Sequence, residues 1–590
     1  MKVKYYVKML LCVALVVILV GCTSANNKGD NTEGTTNTEN VGNSEGVNDS
    51  EVDKNTQNNS DVEGDTIPDG NNGAENNNTQ GNNNAENNDS TGNNTGNNNT
   101  GNNNTGNNNT GNNNTGNNSN TGNNNPGNNS NAENNGNTGN NTGNKDVSGT
   151  YTVGKDKLPY SDEQIFEQMF DINNVVQVNI DISKEELLQI QRDYETYRDK
   201  GSKSPIYRKA SLYISIETKE SKCTYYIKNV GVRMKGNTSR TDFYSKEDGQ
   251  YNLIHYRVKF QDEDFATLEN LELKWNKCDD STYIREYYAY EMFRENGVLA
   301  PHVNLASTDV GGVHQGVFNI YEPVDKNFIE KNVAKEDQGG DLYKCGWTNR
   351  GADLTSACSI GVEDEEKSLF YNYDLKTNKK KSNHAQMKNL ISVLNKRNVT
   401  KEEIAKVVDI DNFLMFSAVS YFVGNPDDMR NNYNNYYVYF LKSSGKAIFI
   451  PYDQDRVLGV TKEWNPASDG MTGVSPFSTK AKGANDWQKN PLFLYTVDRD
   501  KGMYVNEYTE ALKKVAKSEF LTTAKFNSVF EIAKANYSRY TKPGKVFLNA
   551  QGHNFSFDLN RSNGLGSADG NASFKVYLEA KLKAYKSFVQ

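Results

Sequence analysis

The hydrophobic pattern divides the 590-residue chain into three parts. Met9–Val20 is an unbroken apolar run close to the start of the chain. Residues 23–149 contain almost no apolar positions, whereas residues 150–590 alternate between the two-residue period of strands and the longer period of amphipathic helices. The pattern therefore predicts a short apolar leader, a polar tether, and one folded unit long enough to bury a large core.

Residues 1–22 have the layout of a secretory signal, because Lys2, Lys4 and Lys8 precede an apolar run that is too short to span a membrane. The run ends in Leu19-Val20-Gly21-Cys22, which is typical of a bacterial lipobox. We therefore expect Cys22 to carry a lipid that anchors the mature protein on the extracellular face of a Gram-positive-like cell membrane. The alternative is an ordinary cleaved signal peptide in which Cys22 is incidental.

The tether, residues 23–149, consists of Asn, Gly, Thr, Ser and acidic residues, with a recurring TGNNN repeat. Such a segment buries too little apolar surface to offset its chain entropy, so we expect it to be disordered. A flexible coil of this length has an end-to-end distance of roughly 55–65 Å. It either lifts the folded unit through a cell wall or is an expanded repeat without function.

The folded unit is predicted to be α+β and bilobal. Its first lobe is predicted to hold an antiparallel sheet, with strand patterns at Val175–Ile182, Ala210–Glu217, Cys223–Ile227 and Gly231–Met234. Ser183 begins a helix pattern that runs to about Arg198. The second lobe is predicted to be mostly helical. Its main helix patterns cover Gln386–Asn395, Lys401–Val408, Asn412–Val423, Pro491–Val497, Tyr504–Lys514, Leu521–Tyr537 and Ala572–Val589. The charged stretch Glu363–Lys381 is interpreted as a surface excursion.

Two acidic turns flank a predicted hairpin in the second lobe. Asp427 and Asp428 lie in a polar turn after an apolar helix, and Tyr436–Leu441 and Ala447–Pro451 form the strands of the hairpin. Asp453 and Asp455 follow directly after the second strand, where carboxylates can point at a ligand. Phosphoryl transfer needs one carboxylate near the attacking hydroxyl and another on the Mg²⁺ that accompanies the nucleotide. The alternatives are a solvated turn and a structural Ca²⁺ site.

The same stretch resembles the CotH-type proteins, a family of atypical protein kinases named after a bacterial spore coat protein. The motifs that carry the resemblance are Gly424-Asn425-Pro426-Asp427, Asn435-Tyr436-Tyr437 and Ile450-Pro451-Tyr452-Asp453-Gln454-Asp455. The resemblance extends from about Phe170 to the C-terminus. It implies a kinase-like fold and ATP- and Mg²⁺-dependent phosphorylation of Ser or Thr in secreted or surface proteins.

The resemblance also implies roles for these acidic side chains. Asp427 would be the base that orients the hydroxyl, with Asp428 as its neighbour and stand-in. Asp453 and Asp455 would hold Mg²⁺, and they would be assisted by Asn432 or Asn435.

Further nucleotide-binding residues follow from two more matching segments. Gly231–Arg240 resembles the family's glycine turn, in which Gly236 would admit phosphate close to the backbone while Arg233 or Arg240 supplies charge. His255–Phe260 resembles a family strand and offers Arg257 and Lys259. In this segment the sequence departs from the family pattern, because Leu253 occupies the position of an expected Lys.

Glu322 ends a third similar segment. A buried Glu322 that faces a cation would correspond to the Lys–Glu pair of kinases. The alternative is a strand-end carboxylate in solvent.

Composition narrows the remaining function classes. The formal net charge of −9 argues against a nucleic-acid partner, and five His residues with no C-x-x-C pair argue against a zinc site. Cys345 and Cys358 are the closest pair along the chain for a disulfide in an exported protein. The 34 Tyr residues leave a rival hypothesis open, in which the unit is a non-catalytic adhesin or a scaffold that contacts cell-wall glycan.

Overall fold

The computed structural model describes residues 147–237, 239–460, 471–479, 490–565 and 571–589. The predicted leader with Cys22 and nearly all of the predicted tether lie outside these ranges, as does most of the polar stretch Thr461–Lys489. Within the described ranges, no helix is both long and apolar enough to cross a membrane.

Fifteen strands run through the described part of the chain. In chain order they are β1 (Gly149–Thr152), β2 (Val175–Asp181), β3 (Arg208–Glu217), β4 (Lys222–Lys235), β5 (Tyr244–Ser245), β6 (Gln250–Tyr251), β7 (His255–Phe260), β8 (Asn270–Trp275), β9 (Val303–Val310), β10 (Val313–Tyr321), β11 (Leu342–Cys345), β12 (Ile360–Gly361), β13 (Tyr373–Leu375), β14 (Tyr436–Phe440) and β15 (Ala447–Pro451).

Eleven α-helices accompany the strands in the same ranges. In chain order they are α1 (Asp162–Phe170), α2 (Lys184–Asp199), α3 (Arg285–Glu295), α4 (Lys326–Asn332), α5 (Ala385–Leu394), α6 (Lys401–Val407), α7 (Ile410–Val423), α8 (Pro491–Thr496), α9 (Val505–Val515), α10 (Thr523–Tyr537) and α11 (Phe574–Val589). The α+β class predicted from the sequence is therefore confirmed.

Seven strands of the first sheet close into a barrel, in the order β4, β3, β2, β9, β10, β8 and β7, with β7 pairing back onto β4. Every pair is antiparallel except β2 with β9. Closure depends on the length of β4, because β7 pairs with its second half at residues 230–235 while β1 runs parallel to its first half at residues 223–226. The predicted antiparallel sheet is thus a closed barrel with one parallel pair.

Strand alternation separates the two faces of the barrel wall. Val232, Tyr256 and Leu273 are fully buried in the core of the barrel. The intervening positions on β4, β7 and β8 carry charge on the outer face, and they are Arg233, Lys235, Arg257, Lys259, Glu272 and Lys274. All six residues of β8 are buried. The charged outer face of β8 is therefore covered by other parts of the protein. The candidate active site lies between this face and the residues that cover it.

A five-stranded sheet, in the order β12-β13-β11-β14-β15, begins the second half of the fold. The β14–β15 hairpin forms as predicted, with Tyr436 opposite Pro451. Helix α7 packs on it through Phe413, whose ring centroid lies 5.2 Å from that of Phe449. A second hydrophobic core joins this sheet to α3 and to the helices from α5 onward.

Two expectations need correction here. The charged stretch Glu363–Lys381, interpreted as a surface excursion, contributes β13 to the second sheet, where it lies between β12 and β11. Cys345 and Cys358, the closest pair along the chain, do not form a disulfide; both are buried thiols, as are Cys223 and Cys278.

Candidate active site

The turn after α7 places Asp427 beside the end of β15. Gly424 ends the helix in the left-handed conformation at φ +68°, and Asn425 follows it. The Oδ1 atom of Asn425 accepts a hydrogen bond from the Asp427 backbone at 2.9 Å, and its Nδ2 atom donates to the carbonyl of Asp453 at 3.2 Å. One asparagine therefore joins the two acidic turns that the sequence singled out.

The carboxylate of Asp427 is held by three asparagine amides. Oδ1 accepts from Asn432 at 2.6 Å and from Asn434 at 3.2 Å, and Oδ2 accepts from Asn435 at 2.9 Å. Burial is the largest influence on this group and raises its pKa to about 6, although the hydrogen bonds from Asn432 and Asn434 act in the opposite direction. A carboxylate with a pKa near 6 is suited to accept a proton at neutral pH.

The carboxylate of Asp428 points back into its own turn. Its Oδ1 atom accepts hydrogen bonds from the backbone N–H groups of Arg430 at 3.0 Å and Asn431 at 2.8 Å. Only 5% of the residue is exposed, and burial raises its pKa to about 6. These contacts give Asp428 a structural role in the turn that carries Asp427.

The second acidic turn surrounds a buried lysine. The Nζ atom of Lys274, on the outer face of β8, forms ion pairs with Asp453 and, at 3.5 Å, with Asp455. Burial alone would lower the pKa of Lys274, but the three carboxylates around it raise that pKa above its ordinary value. Burial would likewise raise the pKa of Asp453, and Lys274 and Lys235 instead hold it below its usual range.

Glu286, near the start of α3, completes this cluster. Its carboxylate lies 3.2 Å from Nζ of Lys274 and accepts hydrogen bonds from the Tyr321 hydroxyl and from the backbone N–H of Gln454. Burial raises the pKa of Glu286 to about 7, with Asp453 and Asp455 adding to the shift and Lys274 opposing it. A strand lysine is therefore fixed between a helix glutamate and the carboxylates after β15.

The donors around the second acidic turn fit a Mg²⁺ ion that arrives with a nucleotide. The side chains of Asp453 and Asp455 are 33% and 31% exposed, so their free oxygens are accessible. Mg²⁺ needs only one or two carboxylates when phosphates and water complete its shell. Among the described residues no group of three or more His, Cys, Asp or Glu side chains could hold a metal ion alone. Asn432 and Asn435, predicted as metal ligands, direct their amides at Asp427.

A second charged group lies between β4, β7, β8 and β11. Glu272 pairs with Lys235 at 3.1 Å and with Arg257 at 3.5 Å, while the Lys344 ammonium lies 4.3 Å from the ring centroid of Tyr452. Burial, together with the charges of Lys235 and Lys376, lowers the pKa of Lys344 to about 7. Cations outnumber the one glutamate here, so the group favours an anion such as phosphate.

Arg233 and Gly236 lie beside this group rather than in it. Arg233 donates to the Ser204 carbonyl at 2.8 Å and pairs with Glu365 at 3.4 Å. Gly236 adopts φ +122° in the predicted turn, and it lines a cavity with Arg233 and Arg240. This cavity adjoins the cluster through Lys235, which lies two residues from Arg233 on the same face of β4.

Two other predicted ligands lie elsewhere. Lys259 forms a half-exposed surface pair with Glu269 at 3.4 Å. Glu322 is buried and does face a cation, but this is Lys331 at 2.5 Å, and its other partner is the His302 ring at 2.7 Å. The lysine–glutamate pair beside the acidic turns is instead formed by Lys274 and Glu286.

Sequence comparison identifies the family of this chain. The family model described as "CotH kinase protein" matches residues 232–541, a little more than half of the chain. This chain belongs to the CotH kinase family. It is also 27% identical over 185 residues to inner spore coat protein H of Bacillus subtilis (strain 168). The aligned stretch covers 30% of this chain and 48% of that protein. The chain thus spans about half the length of the relative that it matches.

The CotH match includes the residues that sequence reasoning missed. Lys235, Lys274 and Glu286 all fall within residues 232–541. Glu272 and Lys274 alternate with Leu271, Leu273 and Trp275 along β8, so this alternation of charged and apolar residues was the available signal. Glu286, the partner of Lys274, could not be inferred, because nothing in the sequence indicates that α3 packs across β8.

Proposed function

We propose that this CotH family member is an ATP- and Mg²⁺-dependent kinase that phosphorylates Ser or Thr hydroxyls of secreted or surface proteins. The observation that carries the proposal is the position of Lys274 between Glu286 and Asp453, with Asp427 on the adjoining turn. Protein kinases use a strand lysine paired with a helix glutamate, an aspartate on Mg²⁺ and another aspartate on the substrate hydroxyl. These four residues supply the same set of groups.

Each group has a defined role in this proposal. Lys274, kept charged by its carboxylate partners, would bind a phosphate oxygen, and Glu286 would fix its direction. Asp453 and Asp455 would hold Mg²⁺, which neutralises charge on the phosphates when bound. Asp427 would orient the attacking hydroxyl and accept its proton. Lys235 and Lys344 would add positive charge for the remaining phosphate oxygens.

The proposed bilobal arrangement assigns the barrel to one lobe, and the second sheet with its helices to the other. The side chains of the candidate site come from both parts: Lys274 and Lys235 from the barrel, Lys344 and Asp453 from the second sheet and the turn after β15. A nucleotide bound at their junction would contact both parts. This division resembles the two lobes of protein kinases.

The proposed location is the outside of the cell. The lipobox-like sequence at Cys22 supports a lipid anchor on the extracellular face of the membrane. The name of the matched relative places that protein in a spore coat, which supports a surface or coat location for this chain as well.

Calorimetry of ATP binding tests the proposal. We expect the wild-type chain to bind ATP in the presence of Mg²⁺ and to lose that binding in the Asp453→Ala/Asp455→Ala variant. Asp411→Ala is the matched control, because Asp411 is an exposed carboxylate in the first turn of α7. Absence of metal-dependent ATP binding by a folded wild-type chain would overturn the proposal.

A further inference from the structure

Three cations converge at a corner beside the candidate active site. Lys203 follows α2, Arg233 lies on β4, and Arg240 follows the turn at Gly236. They line one cavity, together with the apolar side chains Ile190, Ile206 and Met234. Burial lowers the pKa of Arg240, and the neighbouring charge of Arg233 acts in the same direction. We call Lys203, Arg233 and Arg240 the cationic corner.

The anions that reach this corner come mainly from the second sheet. Asp193 also lines the cavity, but both of its oxygens are engaged by Arg208, at 2.7 and 2.5 Å. Glu363 pairs with Lys203 at 2.8 Å, and Glu365 pairs with Arg233 at 3.4 Å. Both glutamates belong to residues 363–366, the acidic segment between β12 and β13.

The acidic segment is shared between the corner and the second sheet. Glu363 also lies 3.6 Å from Lys376. Burial raises the pKa of Glu363, but the charges of Lys376 and Lys203 outweigh burial and lower that pKa to about 2. The corner itself is incompletely satisfied. Nε of Arg233 and Oγ of the neighbouring Ser202 are buried without a hydrogen-bond partner. Groups of this kind favour a further anionic or polar ligand.

We propose that the cationic corner binds an acidic stretch of a protein partner, and that the chain's own acidic segment is a competitor that the partner displaces. The residues that follow the acidic segment favour a peptide over a small anion as the ligand. Phe370 lies under the Lys203 ammonium at 4.7 Å from its ring centroid, and Leu369 is 45% exposed. The present occupant thus combines carboxylates with apolar side chains, and the cavity supplies matching surfaces.

The corner adjoins the proposed phosphate-binding group. Lys203 and Lys376 both contact Glu363, and their charges also lower the pKa of Lys344. A peptide held at the corner would therefore lie next to the candidate active site. In that respect the inference rests on the proposed function, because the partner is taken to be the kinase substrate. Binding of the peptide does not require nucleotide.

Fluorescence anisotropy tests the inference with the full chain and no nucleotide. The probe is a labelled peptide with the sequence of residues 361–370, GVEDEEKSLF. We expect the Glu363→Gln/Glu365→Gln variant to bind it at least ~10-fold more tightly than wild type, because an intramolecular competitor acts at an effective concentration on the order of millimolar. Glu366→Gln is the matched control, since Glu366 is an exposed acid of the same segment.

Two further measurements test whether the peptide binds at the cationic corner. Adding Lys203→Met to the double variant must abolish the gain, and a peptide with Gln in place of the first and third acidic residues must not bind. If the folded double variant binds no more tightly than wild type, the inference is wrong. A gain that survives Lys203→Met, or equal binding of the Gln peptide, would also overturn it. Loss of ATP binding would leave these results unchanged, so failure of the kinase proposal is separately visible.

Discussion

Opposing influences act on the pKa of the Asp427 carboxylate. Burial and the neighbouring carboxylates of Asp453 and Asp455 raise its pKa, while hydrogen bonds from asparagine amides lower it. The resulting pKa of about 6 leaves the side chain charged at neutral pH but still basic enough to accept a proton from a hydroxyl. The asparagines that surround it also fix the direction of both carboxylate oxygens.

Asp427→Asn should abolish most phosphate transfer and leave the fold intact. The amide has nearly the same shape but cannot accept the hydroxyl proton, so we expect a loss in kcat of roughly 10²–10⁴-fold. ATP binding by calorimetry should change little, and Asp411→Asn should behave as wild type. Retention of wild-type transfer by Asp427→Asn would show that another group acts as the base.

The rate of transfer should depend on pH through the same residue. Because the pKa of Asp427 in the folded protein is about 6, the proton-accepting form is lost as pH falls through that value. We expect kcat to rise about fivefold between pH 5 and pH 6, about tenfold between pH 5 and pH 7, and to level off above pH 7. A rate profile that is flat over this range would contradict the assignment.

Helix α7 shows how one element positions the candidate base Asp427. It ends at Gly424, and a Cβ atom at this position would lie 2.1 Å from the Tyr577 hydroxyl, which itself donates to the Phe422 carbonyl at 2.8 Å. Gly424 thus combines a left-handed backbone with a close approach to α11. The direction of the Asp427 turn depends on this packing.

Gly424→Ala should therefore destabilise the protein more than an ordinary glycine substitution at a helix end. The left-handed conformation costs about 1–2 kcal/mol for a non-glycine residue, and overpacking against Tyr577 adds about 1–3 kcal/mol. Gly297→Ala is the control, since Gly297 has φ +77° after α3 with open space around it. Chemical denaturation measures the difference, and equal effects of the two substitutions would contradict the packing argument.

The elements that the sequence predicted best are those with strong local patterns. The β14–β15 hairpin, α7 and the acidic turns all lie within one stretch, and Ser183 caps α2 as expected. Barrel closure was not predictable, because it depends on one edge of β4 pairing with β1 in its first half and with β7 in its second half. The misjudged stretch Glu363–Lys381 shows the same limit, since its charges are paired across space with Lys203 and Arg233.

At the scale of the whole molecule, the barrel is joined to the helical part by Tyr537 of α10. Its hydroxyl accepts a hydrogen bond from the Val176 backbone at 2.9 Å and donates to the Leu305 carbonyl at 2.8 Å. These partners lie on β2 and β9, the one parallel pair of the barrel. We therefore expect the two hydrophobic cores to unfold in one cooperative transition.

Tyr537→Phe should lower the free energy of unfolding by about 1–3 kcal/mol, because it leaves a buried N–H and a buried C=O without a partner. Tyr540→Phe, a few residues away and partly exposed, should change it by less than about 0.5 kcal/mol. Denaturant titration followed by Trp fluorescence and by far-ultraviolet circular dichroism measures both values. Separate midpoints for the two probes would show that the cores unfold independently.

The short strand β1 has a consequence for any truncated form of the protein. It covers the half of β4 that the barrel leaves open, and its Tyr151 ring stacks on Tyr225 at 6.3 Å. A chain that begins after Thr152 would expose the backbone of Cys223–Tyr226 as an unprotected sheet edge, which can pair with other copies and cause aggregation. Solubility thus depends on four residues next to the tether, far along the chain from the candidate active site.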